Sequence, residues 1–498
     1  MPGPGPSIRP SLFTRLAALA LLLPLTAAAE NLFQVYRDAQ RYDATYSAAR
    51  QTLEAGRERL PQGRAGILPT LNLTGDATRS RFDIESNDPA VSANFTRSSN
   101  SAQYLLELTQ PLYRPQNWIQ YEQAEFQVRQ AEATFGLAWQ DFVIRVAQAY
   151  FDGLGAVDTL NLVRAQKAAI AEQLAQAKRN FEVGTATITD THEAQARFDL
   201  SSAQEIAAVN DLESKQRVLQ QLTGRVYTEL KHLRTDVKLA PPNPRDMESW
   251  VQLAEKQNYA VQQTEAATEV ARREARRASS AHMPTLDLVG RYGQSTDNGT
   301  VNTAIGRDIN SASIGLRLAV PLYSGGGLSS REREAAALSL KSRDDLEGAR
   351  RTAALNARQT YLAVINGIAQ VGALEQALIS SQSALDSNRL GYEVGVRINI
   401  DVLNAQQQLF STRRDLALAR YNTITNQLRL KASAGSLREE DLEEINRALE
   451  LVHDARARRH MSEAGRKLCQ KHRGATERHL ALIAAVTAGA AATAPARG

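Results

Sequence analysis

The segment FEVGTATITD, Phe181 to Asp190, returns as YEVGVRINID, Tyr392 to Asp401, 211 residues later. In both copies a long stretch of helical spacing meets a glycine, Gly184 or Gly395, which reads as the left-handed residue just past a helix C-terminus. Asp190 reads as a cap for the next helix, with Glu193 three residues on. Each copy is therefore the tip of a helical hairpin, at about 182–192 and about 393–401.

The repeat extends beyond the tips. LPTLNL (Leu68–Leu73) returns as MPTLDL (Met283–Leu288), and Pro111-Leu112-Tyr113 as Pro321-Leu322-Tyr323. Gln148, Tyr150 and Ala194-Gln195 match Gln359, Tyr361 and Ala405-Gln406. The offsets are 215, 210 and 211, in preserved order, so residues 30–240 and 241–450 read as two copies of one unit. Pro241, Pro242 and Pro244 lie at the join. Two copies are too few for a solenoid and point to pseudo-symmetry inside a larger ring.

Each unit reads helix, strand, strand, helix, helix. Strands are expected at about 69–82, 102–113, 284–293 and 311–322. Ile314, Leu316, Leu318 and Val320 alternate with Ser313, Gly315, Arg317 and Ala319, and Tyr104, Leu106 and Leu108 alternate with Leu105, Glu107 and Thr109. The polar stretches Ser86–Ser101 and Gly293–Asn310 read as loops in water. From Leu328 to Val394 the helical pattern is unbroken, a rod of about 100 Å, and Ser329 with Glu332 reads as its capping box. On the return helix, Leu403, Phe410, Ala417 and Ile424 form one stripe and Val402, Leu409 and Leu416 another. Two adjacent stripes require two neighbours, as in a closed cylinder of helices.

The 498 residues carry a formal charge of +5. Without residues 1–29 and 451–498, the body has 48 basic and 51 acidic residues, which argues against a nucleic-acid groove. Arg9 and Arg15, the apolar run Leu16–Leu25 and Ala27–Ala29 describe a cleavable secretory signal. Residues 451–498 hold Cys469, the single cysteine, and four of seven histidines at spacings that suit no metal site; a poorly ordered extension is expected.

Four amphipathic strands cannot close a membrane barrel, which takes about eight or more. An open sheet in lipid leaves unpaired backbone groups along its edges. Several chains must therefore share one barrel, with long helices continuing beyond the membrane.

Here the chain resembles a known family. GYEVGVRINIDVLNAQQQLF (Gly391–Phe410), ARYNTITNQLRLKASAGSL (Ala419–Leu437) and FEVGTATITDTHEAQARFD (Phe181–Asp199) are similar to the TolC family of outer-membrane channels, over roughly residues 30–450. The resemblance implies an α+β membrane protein of the Gram-negative outer membrane. It implies a homotrimer whose shared twelve-stranded β-barrel continues into a long α-helical barrel across the periplasm. Leu222–Glu248 and Ser436–Leu449 would form a mixed equatorial belt. It further implies a passive exit duct for drug efflux or type I protein secretion. The partners would be outer-membrane lipid, a periplasmic membrane-fusion adaptor and an inner-membrane transporter of RND, ABC or MFS type, without enzyme activity, cofactor or nucleic acid.

The same resemblance places Asp401 on the first of two aspartate rings at the periplasmic mouth, with Asn404 standing at the second. It aligns Tyr392 and Arg397 with residues that tie the inner hairpin to the outer one of the same or the next chain, and Asp190 with their shared acceptor. The residues themselves leave Asp401 open as a plain helix cap.

Other motifs point to no chemistry. Ser324-Gly325-Gly326-Gly327 follows a strand but lacks the Lys-Ser/Thr of a phosphate loop, and reads as a flexible strand-to-helix joint. His192, His232 and His282 are isolated, and Arg272, Arg273, Arg276 and Arg277 read as a solvated helix face. The competing reading is a periplasmic coiled-coil adaptor or scaffold; it gives no reason for alternating apolar strands.

Overall fold

The structure is a computed structural model and describes residues 30–85, 95–227, 229–233, 239–299 and 305–450. The expected signal and C-terminal extension lie outside the described residues. In chain order come α1 (Leu32–Tyr42), α2 (Ala44–Arg57), α3 (Arg59–Ala65), β1 (Thr70–Ile84), β2 (Phe95–Tyr113), α4 (Pro115–Glu182) and α5 (Ile188–Thr223). There follow α6 (Met247–Gln257), α7 (Tyr259–Ser279), a 3-10 turn (Ser280–His282), β3 (Thr285–Asp297), β4 (Arg307–Ala319), α8 (Gly327–Glu393), α9 (Asn399–Ser433) and α10 (Glu439–Glu450).

The strands form one antiparallel sheet in the order β1-β2-β3-β4, so the two repeats meet at the β2–β3 ladder. The register sorts the sheet into two faces. Leu73 pairs with Leu106, Leu106 with Tyr292, and Leu288 with Leu316, all on one apolar face. Asn72 opposite Glu107 and Glu107 opposite Arg291 lie on the other, where Arg291 Nε is 2.6 Å from Glu107 Oε2. Ile314 is 79% exposed and Leu316 66%, far too apolar an area for water. The ends of the polar stretches expected as loops instead continue the strands: β2 begins at Phe95, β3 runs on to Asp297 and β4 starts at Arg307; residues 86–94 and 300–304 of those stretches lie outside the described residues. Ladder bonds such as the Arg79–Asn100 and Gln294–Asn310 pairings hold these polar residues in the sheet, so backbone pairing overrides their turn preference.

Helices α2 to α9, with most of α1, belong to the same compact unit as the sheet, Tyr36–Arg225 with Leu239–Leu437. α4, of 68 residues, and α8, of 67, are the two long rods. Each folds back on the helix after it, α4 on α5 and α8 on α9, and α7 packs against both rods. The two stripes of α9 face two neighbours. Val402 and Leu409 pack with Leu385, Leu378 and Tyr392 of α8, while Leu403 joins Ile170, Leu174 and Ala177 of α4 and Ala194 of α5. Higher up, Tyr421 stacks on Phe151 at 5.6 Å and donates to Asp158 at 2.6 Å; burial, then the carboxylate, push its phenol upward. α8 is long and apolar enough for a membrane span by composition, but Val364 and Val371 pack on Trp250, Leu430 and Leu416, which makes it a bundle helix.

One further reading is corrected and one refined. Ser329 lies inside α8, whose N-cap is the left-handed Gly326. The arginines of α7 form a largely solvated face, as Arg272 and Arg276 show, with Arg273 the exception. Arg273, with a side chain 13% exposed, lies 3.8 Å over the Phe126 ring and pairs with Glu269; Arg276 and Arg277 pair with Glu122 and Glu274.

The second unit comprises the described residues of Met1–Val35, Val226–Lys238 and Arg438–Gly498. Within it Glu30 bridges Leu230 in parallel, and Lys231 N–H donates to the Glu30 carbonyl at 3.0 Å. α10 carries Glu439, Glu440 and Asp441 in its first turn, where the helix dipole favours negative charge.

Candidate functional site

The hairpin turns follow from their glycines. Gly184 and Gly395 take φ of 78° and 80°, and Thr185 and Val396 N–H groups return to the Asn180 and Gly391 carbonyls at 2.8 and 2.9 Å. Beyond the turns the two copies diverge. Thr187 is the N-cap of α5: its hydroxyl accepts from the Asp190 N–H, and its own N–H donates to Asp190 Oδ2 at 3.0 Å. Asp190 is thus the third helical residue of a reciprocal capping box rather than the cap itself. In the second copy Ile398 stands where Thr187 stands and offers no hydroxyl. Asp401, the counterpart of Asp190, pairs instead with Arg397 at 3.6 Å.

Within one chain the residues aligned with the gate take separate partners. The two hairpins do pack side by side, through Leu403 against α4 and α5. Yet within one chain Tyr392 and Arg397 do not share Asp190. Asn180 Nδ2 donates to the Tyr392 hydroxyl at 3.3 Å, Arg397 turns to Asp401, and Asp190 accepts from the N-cap Thr187 of its own helix. Asn404 is not bare either: Arg197 of α5 donates to its Oδ1 at 2.9 Å and also to Gln407 Oε1.

Asn180, Arg197 and Gln407 were missed from sequence. At the 211-residue offset Asn180 matches Gly391 and Arg197 matches Gln408, so a search for matches passes over both. A search for mismatches near the turns would have found them. On α9, Asn399 and Gln406 are each 1% exposed, and the Asn399 amide and Gln406 Oε1 have no hydrogen-bond partner among the described residues. Apolar side chains protrude at the tips: Val183 is 73% exposed and Val396 76%.

Higher on the outer hairpin, Glu205 of α5 bonds Lys167 and Arg164 of α4, each at 3.0 Å. The two cations hold its carboxyl below the ordinary glutamate range.

Comparison with known proteins agrees with this architecture. The family profile described as outer membrane efflux protein matches residues 35–225 and 250–436, one segment in each repeat. Outer membrane protein TolC of Vibrio cholerae is 34% identical over 426 residues, covering 85% of this chain and 95% of the relative. The alkaline protease secretion protein AprF of Pseudomonas aeruginosa is 33% identical over 428 residues, covering 86% and 89%. The crystal structure of the outer membrane protein VceC of Vibrio cholerae superposes with a TM-score of 0.69 at 17% identity, over 82% of this chain and 96% of that one.

The chain belongs to the outer membrane efflux protein family, the TolC family. It is an outer-membrane channel of a Gram-negative bacterium and not an enzyme; the family forms trimeric channels that serve efflux and secretion systems.

Proposed function

We propose that three copies of this chain form the exit duct of a tripartite assembly, with a periplasmic adaptor and an inner-membrane transporter, and that the hairpin tips are its closed mouth. The observation that carries the reading is the sheet: four strands, an exposed apolar face, and β1 and β4 each paired on one side only. Twelve strands from three chains satisfy those edges and turn the apolar faces to lipid. The protruding Val183 and Val396 offer partners apolar contact at the tips. Tyr392, Arg397, Asp401, Asn404 and Asp190 are assigned to the mouth by their place at these turns.

The family profile is named for efflux and one relative for alkaline protease secretion, so the duct is assigned to both small molecules and unfolded polypeptides. Crosslinking in intact cells followed by purification tests it. Recovery of a trimer with an adaptor and a transporter supports the reading, and a soluble periplasmic monomer overturns it.

A further inference from the structure

Arg197 sits on α5, and its guanidinium reaches across to α9 of the other hairpin. One terminal nitrogen donates to Asn404 Oδ1 at 2.9 Å, the other to Gln407 Oε1. The acceptors are three residues apart and share one helix face, which suits the planar fork of an arginine. Both are neutral amides, so the cation is bound without a counter-charge that would fix it. The clamp borders the apolar contact of Leu403 with Ile170, Leu174 and Ala194. Alongside, α9 carries the buried amide of Asn399 and the buried Oε1 of Gln406, both unpartnered among the described residues. Unsatisfied buried polar groups weaken the seat of a helix, which leaves a larger share of its hold to the clamp.

The clamp has no twin. The repeat puts Gln408 at the position of Arg197 and Glu193 at that of Asn404. It therefore ties the first repeat to the second in one sense only.

We propose that Arg197 is a positioning residue of the mouth: it holds α9 against α5 and releases Asn404 and Gln407 before the inner hairpin moves. This rests on the reading of the hairpin tips as a gate.

The test uses the purified full channel in planar bilayers, with trimer content checked on gels. Arg197→Ala is expected to raise the open-to-closed ratio about tenfold, the effect of losing a charged hydrogen bond. Arg197→Lys restores part of the closure. Asn404→Ala with Gln407→Ala matches Arg197→Ala, and adding Arg197→Ala to them gives no further rise. Asn404→Asp, which supplies the missing counter-charge, lowers the ratio, and only while Arg197 is present; a mere packing defect does not predict that dependence. The Tyr392→Phe/Arg397→Ser variant is measured beside them. If it opens the channel while the Arg197 variants match wild type, the proposal is overturned and the gate reading stands. If neither set changes the ratio, both are overturned. If Asn404→Asp acts equally without Arg197, the clamp is overturned.

Discussion

Arg397 stands in the turn four residues before Asp401, its guanidinium 3.6 Å from the carboxylate, and Ile398 between them offers no capping hydroxyl such as that of Thr187. The negative charge assigned to the mouth is thus covered by a positive one in the same chain. A covered carboxylate is a weak trap for a multivalent cation. Asp401→Asn is expected to change block by a trivalent cation by no more than about twofold, whereas Arg397→Gln, which uncovers one carboxylate per chain, strengthens it by about tenfold. Bilayer conductance against cation concentration checks both. A large loss of block in Asp401→Asn alone would show that Arg397 does not cover Asp401 in the assembled channel.

Tyr392 accepts from Asn180 rather than reaching Asp190. A hydrogen bond of this kind contributes about 1 kcal/mol. Tyr392→Phe and Asn180→Ala should therefore raise single-channel conductance to the same degree, with the double variant adding nothing. Cells carrying them should become sensitive to large antibiotics such as vancomycin. Additive effects would separate the two residues.

The sheet was legible because its apolar residues recur at every second position: Ile314 to Val320 named the lipid face outright. Its true length was not, since Ser98 to Ser101 and Gln294 to Asp297 have turn composition and become strand only through partners far away in sequence. The heptad of Leu378, Leu385 and Tyr392 likewise announced its contact with Val402 and Leu409. Polar contacts at the tips were hidden for a different reason. A long side chain such as Arg197 or Arg397 has several acceptors in reach, and sequence spacing does not choose among them.

The two faces of the sheet predict opposite tolerance. Leu316→Arg places a charge on the apolar face and is expected to cost about 2–4 kcal/mol if it lies near the bilayer midplane. Ser313→Arg, on the polar face beside Arg291, should leave assembly intact. Heat-resistant trimer on gels distinguishes them, and equal loss in both would reverse the assignment of faces.

Gly435 takes φ of 69°, and a Cβ there would stand 2.0 Å from the Gln257 carbonyl oxygen. That contact is backbone and does not yield by a rotamer change. Gly435→Ala is expected to destabilise the fold by about 2 kcal/mol or more, read as a lower melting temperature. An unchanged melt would mean that the α6–α7 junction lies elsewhere.

Glu205 is held below the ordinary glutamate value by Lys167 and Arg164. A depressed folded-state value means that its contribution is complete above the unfolded value and is lost as pH falls through the folded one. Amide protection in α4 and α5, measured relative to intrinsic exchange at each pH, should fall in wild type as pH drops below the ordinary glutamate value. Glu205→Gln should show less of that acid dependence. Identical acid profiles would remove Glu205 as its source.

The two rods leave the sheet through unlike joints. Before α4, Arg114 grips buried Asp287 with two bonds of 2.7 and 2.5 Å, and Pro115 opens the helix. Before α8, Gly325 and Gly326 are both left-handed, with no atom near where a side chain would be. In engineering terms α4 is a beam built into its wall and α8 one carried on a pin. Torsion applied along α8 is taken up at Ser324–Gly327, while a load on α4 passes into the strands. A channel wall assembled from such pairs twists at one set of supports and keeps the other set fixed.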